Sequence, residues 1–208
     1  MKIESFKVNK NKENISEALS IYINDIVYKM KNRNENVITL SLGEAFFKIP
    51  RFSFKELDFN RGYHYSESLG LLKLRKKLEE YYLNKDIKVN AEKEILITCG
   101  SKIAIYMVMQ LILKKGDEVI IHEPAWLSYP EQIKLAGGKT VFMPYDYEVS
   151  DIGQFINENT RLIILNNPNN PAGKVYTSEE LQKIYEICQN RGIYLMVDEA
   201  YSLSLIHI

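Results

Sequence analysis

The residues of this chain best equipped for chemistry lie in two short segments. Asn166-Asn167-Pro168-Asn169-Asn170-Pro171-Ala172-Gly173 closes one apolar run, and Asp198-Glu199-Ala200-Tyr201 closes the next. Each follows a strand-like stretch, Leu162 to Leu165 and Ile193 to Val197. In open α/β sheets ligands sit beyond the carboxyl ends of the strands. An amide, a carboxylate and a phenol are thereby delivered to one edge of one sheet. Asn170 lies between Pro168 and Pro171, which fix their own φ and hold the preceding residues extended, so its amide is presented at a set angle. Asp198 ends an otherwise apolar strand, so burial is expected, and a buried carboxylate needs a cationic or donor partner. A protonated ring nitrogen would be such a partner, and Asn170 and Tyr201 could both hold an oxygen on the same ring. The plain alternative is a structural strand-end Asp beside a packing Tyr.

Two further places could serve the same ring. In Thr98-Cys99-Gly100-Ser101-Lys102 a strand-like stretch passes through one glycine into a long helical pattern. Free N–H groups and the positive end of the helix dipole make an anion site there, and Gly100 lets a phosphate approach the backbone. Ordinary βα turns share this pattern. Trp126, the only tryptophan, follows Glu123-Pro124 and could stack on a flat ring; a core tryptophan is the other reading. Taken together, the set suits a pyridoxal ring with its phosphate.

The elements that must position these residues follow from periodicity. From Asn14 to Lys31 the residues Ile15, Leu19, Tyr22, Ile23, Ile26, Val27 and Met30 mark one helix face. A short strand is expected over Val37 to Leu42, and a long irregular segment over Gly43 to His64. A helix from Ser68 to about Asn84 is expected to turn Leu71, Leu72, Leu74 and Leu78 inward and Lys73, Arg75, Lys76 and Lys77 outward. Beyond it strands and helices alternate: strand Glu94 to Thr98, helix Ser101 to Lys114, strand Glu118 to His122, helix Ala125 to Ala136, strand Lys139 to Met143. A short helix near Asp151 to Asn157, strand Arg161 to Leu165, helix Ser178 to Asn190 and strand Ile193 to Val197 complete the series. Gly116-Asp117, Gly137-Gly138 and Gly192 punctuate helix ends. Alternation of this kind predicts crossover connections and a three-layer α/β/α, mostly parallel sheet.

Composition excludes several classes. Lys+Arg and Asp+Glu are 27 each, so no net field draws the chain to nucleic acid or an anionic membrane. The longest apolar run, Ile103 to Leu113, is broken by Gln110 and falls short of the roughly 18 residues a membrane span needs. Met1 to Lys7 lacks the apolar core of a secretory signal, which points to a cytoplasmic protein. Cys99 and Cys188 form no CxxC pair and are expected to be buried structural thiols, with no metal site.

These motifs in this order resemble the class I/II aminotransferases of the aspartate aminotransferase type, pyridoxal-phosphate enzymes of fold type I. The resemblance runs from about Asn14 to Tyr201. It is carried by Leu42-Gly43-Glu44, Tyr65 through Gly70 with Leu74-Arg75, Thr98 to Lys102, Gly116-Asp117-Glu118-Val119, Asn167 to Gly173 and Asp198 to Tyr201. It implies pyridoxal 5′-phosphate as cofactor and transfer of an amino group between an amino acid and a 2-oxo acid. Gly100, Ser101 and Lys102 would form the phosphate cup, and Trp126 would stack on the ring. Asn170 and Tyr201 would hold the ring oxygen, and Asp198 would pair with the ring nitrogen. Gly43 would lie beside the substrate carboxylate. Tyr65 would reach the phosphate of the neighbouring subunit, which implies a homodimer. The resemblance divides the chain into an arm and part of a small domain over 1–45, an incomplete large domain over 46–201, and a foreign or frayed tail over 202–208.

The sequence departs from that family in three respects. Ala45 stands where a proline is usual and Ala172 where a threonine is common, neither supplying an essential side chain. Family members carry a Schiff-base lysine after the next strand, a further basic residue on the phosphate, and a distal arginine. Here no lysine follows Lys183 and no arginine follows Arg191. The expectation is a truncated aminotransferase, inactive as given. The alternatives are a non-catalytic binding protein on the same fold, or another fold type I enzyme such as a C–S lyase or decarboxylase. Gly137-Gly138-Lys139-Thr140 resembles the end of a nucleotide-binding loop, but position 133 is Ile and the segment leaves a helix for a strand.

Overall fold

A computed structural model of the chain describes residues 19–40, 53–56, 58–62 and 64–202. Gly43, the Leu42-Gly43-Glu44 motif, Ala45 and Ile15 lie outside them. The chain forms two compact units, one made of 1–41 with 105–208, the other of 42–104.

The first unit is built on four parallel strands, β1 (Glu118–His122), β2 (Lys139–Met143), β3 (Thr160–Asn166) and β4 (Tyr194–Asp198), in the order β2-β1-β3-β4. β1 sits between β2 and β3, and its run Val119, Ile120, Ile121 is buried on both sides, as a central parallel strand requires. Alternate side chains feed two cores. Ile120, Ile163 and Leu165 pack with Val149 and Ile152 of a 3₁₀ turn (Val149–Phe155) and with Ile184 and Cys188 of a helix over Ser178–Arg191. Val119, Ile121, Leu162 and Ile164 pack with Ile105 and Met109 from the helix over Ser101–Ile112, and with Tyr129 and Ile133 from the helix over Ser128–Leu135. Helices therefore cover both faces, and the expected three-layer α/β/α sheet is present.

In chain order the helices are α1 (Leu19–Asn32), α2 (Phe59–Gly62), α3 (Leu72–Leu83), α4 (Ser101–Ile112), α5 (Ser128–Leu135) and α6 (Ser178–Arg191). Gly116, Gly137 and Gly192 all have positive φ at the expected punctuation points. The Gly137-Gly138 segment leads from α5 into β2, the reverse of the strand-to-helix order that phosphate cradling needs. On α1, Val27 and Met30 are half-buried, while Leu19, Tyr22, Ile23 and Ile26 are exposed.

The second unit overturns several expectations. Among the described residues Glu94 to Thr98 pairs with no other strand, and neither do residues 37–40 of the expected first strand, which belong to the first unit. Glu94 to Thr98 is held instead by single bonds such as Ile97 N–H to the Leu69 carbonyl at 3.0 Å. α3 begins only at Leu72, and of its expected inward leucines Leu71 and Leu74 are exposed. Arg75, expected outward among lysines, is only 3% exposed. Its guanidinium donates to the Gly70 carbonyl (2.9 Å), the Ala91 carbonyl (2.5 Å) and the Glu67 carboxylate. Periodicity cannot foresee this, because a fork of five donors is buried wherever acceptors converge. Cys99 is exposed, against expectation, because it lies in an irregular stretch; Cys188 is buried in the core as expected, and burial pushes its thiol up to about 11.

Candidate active site

Asn166 and Asp198 are register partners at the carboxyl ends of β3 and β4, so the two motif segments leave the sheet side by side. The asparagine side chain ties them together. Asn166, 5% exposed, donates through Nδ2 to the Asp198 carbonyl at 3.0 Å, and its Oδ1 accepts from the Asn170 N–H at 2.6 Å. Asn167 N–H adds a second bond to the Asp198 carbonyl at 2.9 Å. Asn169 folds the proline-rich loop on itself: its N–H donates to the Lys174 carbonyl, and its Oδ1 accepts from Ala172 N–H at 3.0 Å. The result is a loop with a fixed path, from which Asn170 Nδ2 donates to the Tyr201 hydroxyl at 3.0 Å. Asn170 and Tyr201 are thus brought together, their polar groups bonded to each other.

Asp198 is half-buried rather than buried, because β4 has a strand neighbour on one side only, among the described residues. Its carboxylate accepts from two uncharged donors, Ala200 N–H at 3.0 Å on Oδ1 and the Tyr129 hydroxyl at 2.6 Å on Oδ2. Tyr129 is a residue the sequence reading missed. It sits on α5, three positions after Trp126, and is 1% exposed. Burial above all, then the bond to Asp198, pushes its phenol far above the ordinary range, so it is a permanent donor. No sequence signal tied it to the site, because Trp126 lies ahead of α5 and Asp198 is far along the chain. Trp126 itself is half-buried in the loop before α5, and its indole meets the Tyr129 ring edge-on, with centroids 5.2 Å apart.

Gly100, Ser101 and Lys102 form the entry to α4, all exposed. Gly100 has φ +91°, and a side chain added there would meet nothing within 4 Å, so its backbone stands open to an incoming group. The turn is closed locally by Gly100 N–H to the Thr98 carbonyl and Thr98 Oγ1 to the Gly100 carbonyl. Tyr65 is fully exposed.

A cleft of about 720 Å³ lies at the carboxyl ends of β1 and β2, between His122, Tyr145, Tyr147, Asn169, Lys174 and Tyr176. Its His122 imidazole shares a bond with the Tyr176 hydroxyl at 3.1 Å. Burial, then the Lys174 charge, holds that imidazole below its ordinary value. Among the described residues no helix is long and apolar enough to cross a membrane, and no cluster of His, Cys, Asp or Glu could hold a metal ion.

The chain is similar to known proteins in sequence and in fold. The profile of a family described as aminotransferase class I and II matches residues 35–205. A probable aspartate/prephenate aminotransferase of Aquifex aeolicus is 34% identical over 83% of this chain and 46% of its own length. The aspartate aminotransferase of Bacillus subtilis is 33% identical over 94% of this chain and 52% of its own length. The structure of aspartate aminotransferase from Thermus thermophilus with maleate superposes with a TM-score of 0.84 at 26% identity, covering 94% of this chain and 53% of that one. The chain spans about half the length of the relatives it matches. With the parallel sheet, the paired strand-end segments and the glycine entry to α4 in agreement with that match, the chain belongs to the class I and II aminotransferase family.

Proposed function

We propose that this chain supplies the cofactor-holding part of an aminotransferase that passes an amino group between an amino acid and a 2-oxo acid, using pyridoxal 5′-phosphate. The observation that carries the reading is the Asp198 carboxylate. It is half-buried and held by two uncharged donors, so a cation placed against it would complete its pairing. A pyridine N–H⁺ is such a cation. Asn170 Nδ2 donates to the Tyr201 hydroxyl at 3.0 Å, so the two polar groups stand side by side, where both could turn to one ring oxygen.

In this reading Asp198 keeps the ring nitrogen protonated, Asn170 and Tyr201 hold the ring oxygen, and Trp126 covers one ring face. Gly100, Ser101 and Lys102 hold the phosphate through the open backbone and dipole at the start of α4. By the family resemblance Gly43 would serve the substrate carboxylate, and Tyr65 the phosphate of a second subunit in a homodimer. When bound, the cofactor supplies an electron-withdrawing ring that accepts the electron pair left as the substrate Cα–H bond breaks. Moving that proton requires a base, a role given to none of the residues above. The Asp198 carboxylate with its two uncharged donors equally suits, as a second reading, a non-catalytic binding protein on the same fold.

The sole tryptophan makes the test direct. 4-Deoxypyridoxine 5′-phosphate lacks the aldehyde and cannot react with surface lysines. Titrated into the protein, it should quench Trp126 fluorescence saturably, and inorganic phosphate should compete. Absence of saturable quenching up to millimolar ligand would overturn the proposal. Amino transfer by a longer chain carrying a lysine beyond β4, with none by that chain's Lys→Ala variant, separates the enzyme from the binding protein.

A further inference from the structure

Tyr129 touches both residues that the proposed function places against one ring. Its hydroxyl lies 2.6 Å from Asp198 Oδ2, and its ring edge packs on the Trp126 indole at 5.2 Å. It is itself immobile: 1% exposed, on α5, within the core formed by Ile121, Ile133 and Ile164. Asp198 and Trp126 are each only half-buried, the first ending β4 and the second lying in the loop before α5. The groups expected to meet the ring are the less confined ones, and the confined residue joins them.

We infer that Tyr129 is a positioning residue. Its O–H fixes the Asp198 carboxylate and its ring sets the Trp126 indole, so that the nitrogen-pairing and stacking contacts of one bound ring are held in register by a single side chain. The inference rests on the pyridoxal reading above. A buried hydroxyl needs a partner, and here the acceptor is an anionic oxygen, which gives the bond more strength than a neutral pair. With Oδ2 held by Tyr129 and Oδ1 by Ala200 N–H, the carboxylate plane cannot rotate freely. Its remaining lone pairs are left in a set direction for a ring N–H⁺. Asn166 performs the corresponding task for the backbone of the same residue, so side chain and main chain of Asp198 are secured from different elements.

Tyr129→Phe deletes the hydroxyl and keeps the ring. With 4-deoxypyridoxine 5′-phosphate titrated against Trp126 fluorescence, Tyr129→Phe is expected to bind about tenfold more weakly than the parent chain, the size of one lost bond to a charged group. In an Asp198→Asn background the same change should cost less than about twofold, because the charged acceptor it served is gone. A penalty equal in both backgrounds would show that Tyr129 only fills space, and would overturn the inference. Without any ligand, Tyr129→Phe should move the Ala200 amide resonance, since Ala200 donates to the same carboxylate, while the Ile120 and Val141 amides stay in place. An unmoved Ala200 amide overturns the positioning role whatever the ligand does. An Ala200 amide moved by Tyr129→Phe, together with no quenching in the parent chain, instead overturns the pyridoxal reading, and with it the ring-directed role of Tyr129.

Discussion

The strand-end corner of the first unit and the 64–104 stretch of the second solve the same problem by different means. Both must hold irregular chain in a fixed path. At the corner, β3 and β4 rest on two apolar cores, and small neutral groups suffice to tie the loops, with Asn166 spanning Asp198 and Asn170. In the 64–104 stretch the buried residues are Arg75, Ala91 and Ile95. There a single guanidinium gathers Glu67, Gly70 and Ala91. Where a sheet fixes the backbone first, polar side chains only refine it; where the described residues form none, one buried charge does the organising.

Arg75→Leu should give the largest effect. It strands the Gly70 and Ala91 carbonyls while Glu67, more than half exposed, regains water. Two unpaired carbonyls cost about 3 kcal/mol. Native-state hydrogen exchange should show the Ile97 amide losing protection while the β1 and β3 amides keep theirs. Equal loss in both places would break the contrast between the two regions. Gly70→Ala should come next. Its φ is +94°, and an added Cβ would lie 2.5 Å from the Ile97 Cβ, so strain and overlap together cost about 2–3 kcal/mol, again read at the Ile97 amide.

Asn166→Ala should cost about 2 kcal/mol in urea unfolding, because the Asn170 N–H loses its acceptor while the Asp198 carbonyl keeps the Asn167 N–H. Ligand affinity should fall with it, since Asn170 and Asp198 both lose a tie. Asn166 also shows where the sequence was legible. The four strands, their parallel direction and the delivery of the two motif segments to one sheet edge follow from alternation and turn residues, and the strand-end positions of Asn170, Asp198 and Tyr201 could be read from the same pattern. Asn166 stood inside a quoted motif, yet its role was hidden, because a side chain bridging two strand ends depends on register that one segment does not encode. Tyr129 was hidden for the same reason, lying in sequence far from the Asp198 it serves. In the 64–104 stretch, Arg75 read as one more cation on a lysine-rich face, and Glu94 to Thr98 read as a strand because apolar residues in short runs do not declare whether a partner strand exists.

The smallest effect tests whether side-chain ties at the corner extend to the helix that follows its loop. α6 opens with a capping box: Thr177 Oγ1 accepts from Glu180 N–H at 3.1 Å, and Glu180 Oε2 accepts from Thr177 N–H at 2.7 Å. Lys174, from the end of the proline-rich loop, reaches Glu180 Oε1 at 3.0 Å. Burial alone would raise the Glu180 carboxyl, but the Thr177 N–H and the Lys174 ammonium outweigh it, and the group lies below its ordinary value of 4.5. A carboxyl depressed in the folded state contributes stability that is fully present above the unfolded value and is lost as pH falls through the folded one. The chain should therefore lose about 0.5–1 kcal/mol as pH drops below 4.5, the worth of one cap. Glu180→Gln keeps an acceptor for Thr177 but carries no charge, so it should flatten this acid limb while leaving most of the cap at neutral pH. Thr177→Ala should lower stability at every pH by about 1 kcal/mol. If Glu180→Gln leaves the acid limb unchanged, the Lys174–Glu180 pair contributes nothing. The loop that carries Asn170 is then held by the bonds of Asn166, Asn167 and Asn169, with no help from α6.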